Sequence, residues 1–280
     1  MNFSPGGFFY TLLTFIVTAA ALVLLLLSNV GSITNKKGDT SIYLLELNLA
    51  NLNLDKVFPT DVSIDASTLL NNDVYILGMY GYCRGKTSTA GSDTDQELYA
   101  TNFTMNSCTK AKPMYTFDPV NFLTTEFTQD TGVNLTASDI SLPSKIEGYV
   151  KTADDVSKVI YITSCIAIVL NFLVAVLTIF MYCCRPGAVA ILGMIEFVAF
   201  LAALIASGAS TGMYKYIETA FNDEAAQYGI YASLSRNYLI LTWIGTALCG
   251  VAYIMLFANC CCRCCCGGSP RKVYVEKEEY

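Results

Sequence analysis

Four apolar stretches, each long enough to cross a bilayer, constrain this chain more than any other feature. A spanning helix needs about 20 mostly apolar residues. Phe8 to Ser28 (FFYTLLTFIVTAAALVLLLLS), Val159 to Cys183, Ala188 to Ser210 and Tyr238 to Asn259 all meet that requirement. Only 14% of the residues are charged, where a soluble domain carries about 25%. The first stretch lacks a basic leader, and its apolar core exceeds the roughly 7–15 residues of a signal peptide. It reads as a retained helix.

The expected fold is therefore an all-α membrane bundle of four transmembrane helices, with a small, partly β, disulfide-stapled extracellular domain between helices one and two. The division that follows is a cytosolic N-terminus (1–7), helix one (8–28), an extracellular domain (29–158) and helix two (159–183). A cytosolic turn (184–187), helix three (188–210), an extracellular loop (211–237), helix four (238–259) and a cytosolic tail (260–280) complete it. Within the large loop, Ser41 to Leu49 and Asp73 to Tyr82 have strand character. Ile146, Tyr149, Val150, Ala153 and Val156 fall near helical spacing, which predicts an amphipathic helix running on into helix two.

Charge and cysteine placement orient the chain. Segment 29–158 holds ten Lys/Arg against sixteen Asp/Glu, and the remainder holds seven of each sign, so the whole net charge of −6 sits in the large loop. No basic surface for nucleic acid is present. Arg185 in the short turn and Arg263, Arg271, Lys272 and Lys277 in the tail favour both termini inside; Lys36, Lys37 and Lys158 argue the other way but flank a long loop. Cys260, Cys261, Cys262, Cys264, Cys265 and Cys266 crowd into CCCRCCC, which stays reduced only in a reducing compartment. The large loop carries two N-glycosylation sequons, at Asn102 and Asn134. Its only cysteines are Cys83 and Cys108. An even pair in an exported segment reads as one disulfide, closing about 26 residues for about 3 kcal/mol; two unpaired thiols are the alternative.

The stretch LGMYGYC, a second cysteine downstream and then KPMYTFDPVNFL (Lys112 to Leu123) all lie between helices one and two. In this the chain resembles the fungal Sur-seven/PalI family of tetraspan plasma-membrane proteins, distantly similar to claudins. It departs from claudins in lacking a tryptophan before the first cysteine; its only Trp is Trp243, in helix four. The resemblance implies a structural role in static plasma-membrane microdomains, cortical patches beside the cytosolic coats called eisosomes. Links to cell-wall integrity, endocytosis, stress response and sporulation go with it. A PalI-like accessory role in ambient-pH signalling is the alternative, and a channel or transporter a third. The implied partners are the bilayer, eisosome or cortical proteins, and further copies of this chain or related tetraspan proteins.

The residues themselves point away from enzyme chemistry. The chain contains no histidine, which removes Ser-His and Cys-His pairs and histidine-ligated metal sites. No cofactor, metal or catalytic residue is expected. Two polar residues fall inside spans: Asn171 in helix two and Glu196 in helix three. Their depths agree within about one helical turn, at 1.5 Å per residue. A hydrogen bond from Asn171 to a neutral Glu196 is the expectation, since an ionisable group in a membrane needs a partner. Gly208 and Gly212 form a GxxxG motif, and with Gly245, Ala247 and Gly250 they point to close packing inside the bundle, contacts between protomers being the alternative. The six tail cysteines, beside a membrane helix, are expected acylation sites.

Overall fold

The structure is a computed structural model that describes residues 5–34, 36, 40–52, 73–87, 103–131, 144–180 and 186–265. In chain order the elements are α1 (Pro5–Val30), β1 (Leu45–Asn48), β2 (Val74–Leu77), β3 (Tyr82–Thr87), β4 (Phe103–Cys108) and α2 (Pro119–Thr131). They continue with α3 (Ser144–Phe180), α4 (Pro186–Ala220), β5 (Tyr231–Leu234) and α5 (Arg236–Cys265). Four segments, Phe8–Val30, Thr152–Phe180, Ala188–Glu224 and Arg236–Cys261, are long and apolar enough to cross a membrane. The fold class read from the sequence is the one found.

The four long helices form a closed square. α1 packs against α3 and α5, and α4 packs against the same two. Small side chains fill the interior, among them Ala21, Ala167, Ala203 and Cys249. Large apolar side chains instead face outward, such as Phe172, Ile191, Met194, Ile254 and Phe257, each more than half exposed. That inversion is the pattern of a bundle solvated by lipid, where small residues let helix backbones approach and acyl chains cover the rest.

α3 has 37 residues and α4 has 35. At 1.5 Å per residue they are each about 50–55 Å long, against about 30 Å of hydrocarbon. The surplus of both helices lies at one end of the bundle and carries a sheet. The sheet has five antiparallel strands in the order β4-β3-β2-β1-β5. The two stretches with strand character contain β1 and β2. β5 comes from the segment between α4 and α5, where the sequence suggested only a loop. It pairs with β1 in the register Leu45↔Leu234 and Leu47↔Ala232. The chain reaches it through a π-helical turn, Phe221–Ala225. It then turns at Gly229, whose φ is +79° and where an added Cβ would collide with the Asn51 carbonyl. Both interhelical segments therefore contribute to one sheet.

The core under the sheet is continuous with the helices. Leu45, Leu47, Tyr75, Leu77 and Tyr82 pack on Phe122 and Leu123 of α2 and on Ile160, Tyr214, Ile217 and Phe221 of the long helices. The Tyr75 ring stands edge-on to Phe122 with centroids 4.7 Å apart. Each such side chain contributes about 1.5–3 kcal/mol by leaving water. Of the predicted amphipathic stripe, Ala153 and Val156 pack against this core.

Candidate functional site

Two places concentrate the polar chemistry of the chain: the sheet domain around its cysteines, and the centre of the bundle. In the sheet domain Cys83 and Cys108 form a disulfide. They are directly opposed partners on β3 and β4, so the bond locks the register of β4, the edge strand of the sheet. A bulge follows between Arg84 and Gly85. An added Cβ at Gly85 would run into the Thr104 carbonyl, so the bulge needs glycine there.

Beside the staple lies a buried acid with a full set of partners. Glu126 of α2 is 2% exposed. The Tyr82 hydroxyl donates to its Oε1 at 2.6 Å, and Arg84 Nη1 reaches its Oε2 at 3.3 Å. Arg84 also donates to the Ser107 hydroxyl at 2.7 Å and to Gln129 Oε1 at 2.9 Å. One network thus ties β3, β4 and α2. Burial, with the Glu126 hydrogen bond next, pushes the Tyr82 phenol well above its ordinary value. Burial, followed by the charges of Asp118 and Glu126, pushes Tyr115 up to about 12. Burial, followed by Tyr161, does the same for Tyr80, again to about 12. At neutral pH these phenols are hydrogen-bond donors and not charges.

Tyr80 connects the two places. Its hydroxyl donates to Asn29 Oδ1 at 2.7 Å, and Asn29 Nδ2 donates to the Ser164 hydroxyl at 2.9 Å. The turn between β2 and β3 is thereby bonded to α1, and through it to α3. Deeper in the bundle, Ser207 and Thr246 share a hydrogen bond of 2.7 Å between α4 and α5.

The expected bond between Asn171 and Glu196 is not formed. Both side chains are fully buried, but Asn171 spends its amide on the Ala167 carbonyl at 3.1 Å and the Cys249 sulfur at 3.2 Å. The Cys249 thiol returns a contact to Asn171 Oδ1 at 3.5 Å. Neither carboxylate oxygen of Glu196 has a hydrogen-bond partner among the described residues. Rise along the helices brings the two residues to about one level of the bundle, but α5 supplies a thiol there that takes Asn171. The glycines divide between helix contacts and the outer surface, so only some of them pack inside the bundle as expected. Gly245 meets Leu25 and Gly250 meets Phe200 at 3.1 Å, whereas the Gly208 and Gly212 positions face open space. On α4 the inward face is taken by Glu196, Ala199, Ala203, Ser207 and Ser210, which turns the GxxxG pair toward lipid.

The remaining predicted sites are only partly described. Asn102 and Asn134 lie outside the described residues. Cys260 is half-buried near the end of α5, and Cys261 is exposed. Cys262, Cys264 and Cys265 continue the helix, and Cys266 lies outside the described residues. Missed altogether were α2 and its acid. The signal was present: Asp118-Pro119 is a cap followed by proline at the first helical position. Asp118 Oδ1 accepts from the Val120 and Asn121 amides at 3.0 and 3.2 Å.

Comparison with known proteins agrees with this architecture. The chain is 25% identical over 240 residues to Protein PUN1 of Saccharomyces cerevisiae, covering 85% of this chain and 86% of that one. The profile of the SUR7/PalI family matches residues 10–255, from the first helix to the last. With a four-helix bundle roofed by a stapled sheet, and a family match over most of its length, the chain belongs to the SUR7/PalI family.

Proposed function

We propose that this chain is a non-enzymatic structural component of static plasma-membrane microdomains, of the eisosome-associated kind, with both termini cytosolic and the sheet domain outside. The observation that carries the reading is the single body made by bundle and sheet. The sheet takes strands from both outer segments, is stapled at its edge and is bonded to helix ends through Tyr80 and Asn29. A body of that kind suits a fixed element of a membrane patch. Support for cell-wall integrity, endocytosis, stress response and sporulation follows from the family. Its partners in this reading are the bilayer, cortical proteins and other tetraspan copies.

Asn102 and Asn134 are glycosylated in this reading, and the cluster from Cys260 to Cys266 is acylated. Each buried methylene adds about 0.8 kcal/mol. Several saturated chains at one helix end favour thick, ordered lipid and sort the protein laterally, since α5 already anchors it. A glycosidase-sensitive mass that disappears in Asn102→Gln with Asn134→Gln supports the orientation; a protease-accessible tag after Tyr280 in intact protoplasts overturns it.

The second reading is an accessory role in ambient-pH signalling, favoured by a family profile that spans both branches. Imaging a tagged copy beside an eisosome marker separates the two. Static cortical patches support the microdomain role. A diffuse signal with an alkaline-response defect in the deletion strain supports signalling. A channel or transporter rests on Glu196 alone and is tested by ion flux in reconstituted vesicles.

A further inference from the structure

The segment Lys112 to Leu123, singled out in the sequence as a motif, builds a cleft that the role above does not use. It opens on the surface of the sheet domain between the 109–118 loop and α2, with a volume of about 300 Å³. Pockets from about 300 Å³ upward hold small ligands. Its lining is aromatic: the half-buried Tyr115 is backed by Tyr82, 6.3 Å away, and by Phe122, which stands edge to face with Tyr82 at 5.2 Å, both buried. Around these rings the lining includes Lys112, Asp118, Asn121 and Thr125. Among the described residues, no hydrogen bond is made by the Lys112 ammonium, the Asn121 side-chain carboxamide or the Thr125 hydroxyl.

The cleft is held in shape from every side. The Lys112 amide donates to the Tyr80 carbonyl at 2.8 Å, and the Thr109 amide to the Tyr82 carbonyl at 2.9 Å. The Thr116 hydroxyl donates to Asp154 of α3 at 2.7 Å. Asp118 caps α2, and Tyr82 is fixed from behind by Glu126. Met114 sits at the cleft with φ +54°, in the left-handed region that long side chains rarely adopt, and its side chain is 45% exposed. Held strain of this kind clusters at ligand sites, and a preformed site loses little to ordering when it binds.

The chemistry of the lining selects its ligand. One lysine and one aspartate cancel, so an anion such as phosphate gains no net attraction. An aromatic lining with a rim of amide, hydroxyl, ammonium and carboxylate suits a ring that is apolar on its face and bears hydroxyls on its edge. A pyranose has that shape. We propose that this cleft binds a neutral saccharide unit, of the kind a membrane protein meets in an extracellular polysaccharide. The cleft faces such a polymer only in the orientation proposed above, but binding by purified protein tests the cleft independently of cortical patches.

The test uses the full chain in nanodiscs, with its own N-glycans removed so that they do not occupy the site. Triacetylchitotriose, laminaritriose and maltotriose serve as neutral probes, and sialyllactose and inorganic phosphate as charged ones, read by calorimetry. At least one neutral trisaccharide is expected to bind saturably. Combined Lys112→Ala, Asn121→Ala and Thr125→Ala substitutions, all at exposed positions, are expected to weaken it by about tenfold or more while leaving thermal melting unchanged. Tyr115→Phe is expected to keep most of the binding, and Tyr115→Ala to lose it. No saturable binding of any neutral probe, equal binding by the triple variant, or preference for a charged probe overturns the assignment. Capture of a protein by wild type but not by the triple variant, with no saccharide bound, reassigns the cleft to protein docking and overturns it equally.

Discussion

Glu126 and Glu196 are both buried acids in one chain, and their surroundings could hardly differ more. Glu126, in the sheet domain, is 2% exposed and receives Tyr82 and Arg84. Glu196, in the bundle, is 0% exposed, and neither of its oxygens has a hydrogen-bond partner among the described residues. A carboxylate that stays ionised must be paired when it leaves water. An acid in the hydrocarbon layer has another way out, because as a neutral carboxylic acid it costs far less to bury. The sheet domain is thus built on specific polar bonds and a covalent staple. The bundle is built on small-residue packing, with polar groups that contribute little.

Breaking the staple should give the largest effect. Cys83→Ser or Cys108→Ser is expected to cost about 3 kcal/mol and to lower delivery to the cell surface. Measured as surface yield, the double substitution should be no worse than either single one, because both remove the same bond. Additive defects would mean that the two sulfurs act separately.

Removing Glu126 comes next. Glu126→Ala leaves the Tyr82 hydroxyl without its acceptor and takes the counter-charge from Arg84, whose Nη1 keeps only Gln129. Breaking a fully buried pair costs about 3–5 kcal/mol. Arg84 is 23% exposed at its side chain, so a loss of about 2 kcal/mol is expected, read by thermal melting in detergent. Glu126→Gln should recover part of it by keeping an acceptor for Tyr82.

Alkali should separate the two regions without mutation. Tyr80 and Tyr115 are held at about 12, above the unfolded phenol value of about 10. A raised folded value means that the native state holds its protons longer than the unfolded state. The stability of the sheet domain is therefore whole below about pH 10 and is lost progressively up to about pH 12. Across that window near-ultraviolet absorbance should show tyrosine ionisation, and far-ultraviolet circular dichroism should show loss of sheet while helix content persists. Simultaneous loss of helix and sheet would mean that the bundle depends on its roof.

Replacing Glu196 by its neutral amide should give the smallest effect. Glu196→Gln is expected to cost no more than about 0.6 kcal/mol, the average for a polar contact between membrane helices. Glu196→Lys should be severe, since it places a charge where no counter-charge is described. Loss of all function in Glu196→Gln would point to proton chemistry and reverse the contrast with Glu126.

The sequence carried some parts of this picture and not others, for physical reasons. The four spans were legible because length and apolarity are enough to define them. The staple was legible because only two cysteines lie in the polar part. β5 was not legible. Four residues, Tyr231 to Leu234, leave too short a run for period-two alternation, and their strand state depends on pairing with β1 far away in sequence. The Glu126 network was invisible for a similar reason: Tyr82, Arg84 and Glu126 meet only once α2 lies on the sheet. Rise per residue fixes the heights of Asn171 and Glu196 but not their rotation around the bundle. Cys249 of α5 occupies the direction in which Asn171 points.

The proposed role of the whole body depends on its being fixed in the membrane, and photobleaching of a fluorescent copy in living cells measures that directly. A tag after Tyr280 is bleached over one cortical patch beside an eisosome marker. Wild type is expected to show little recovery over minutes. The variant with Cys260, Cys261, Cys262, Cys264, Cys265 and Cys266 changed to serine is expected to stay in the plasma membrane but recover quickly and lose its patches. Rapid, complete recovery of the wild type, with signal spread evenly over the plasma membrane, would contradict a static microdomain role.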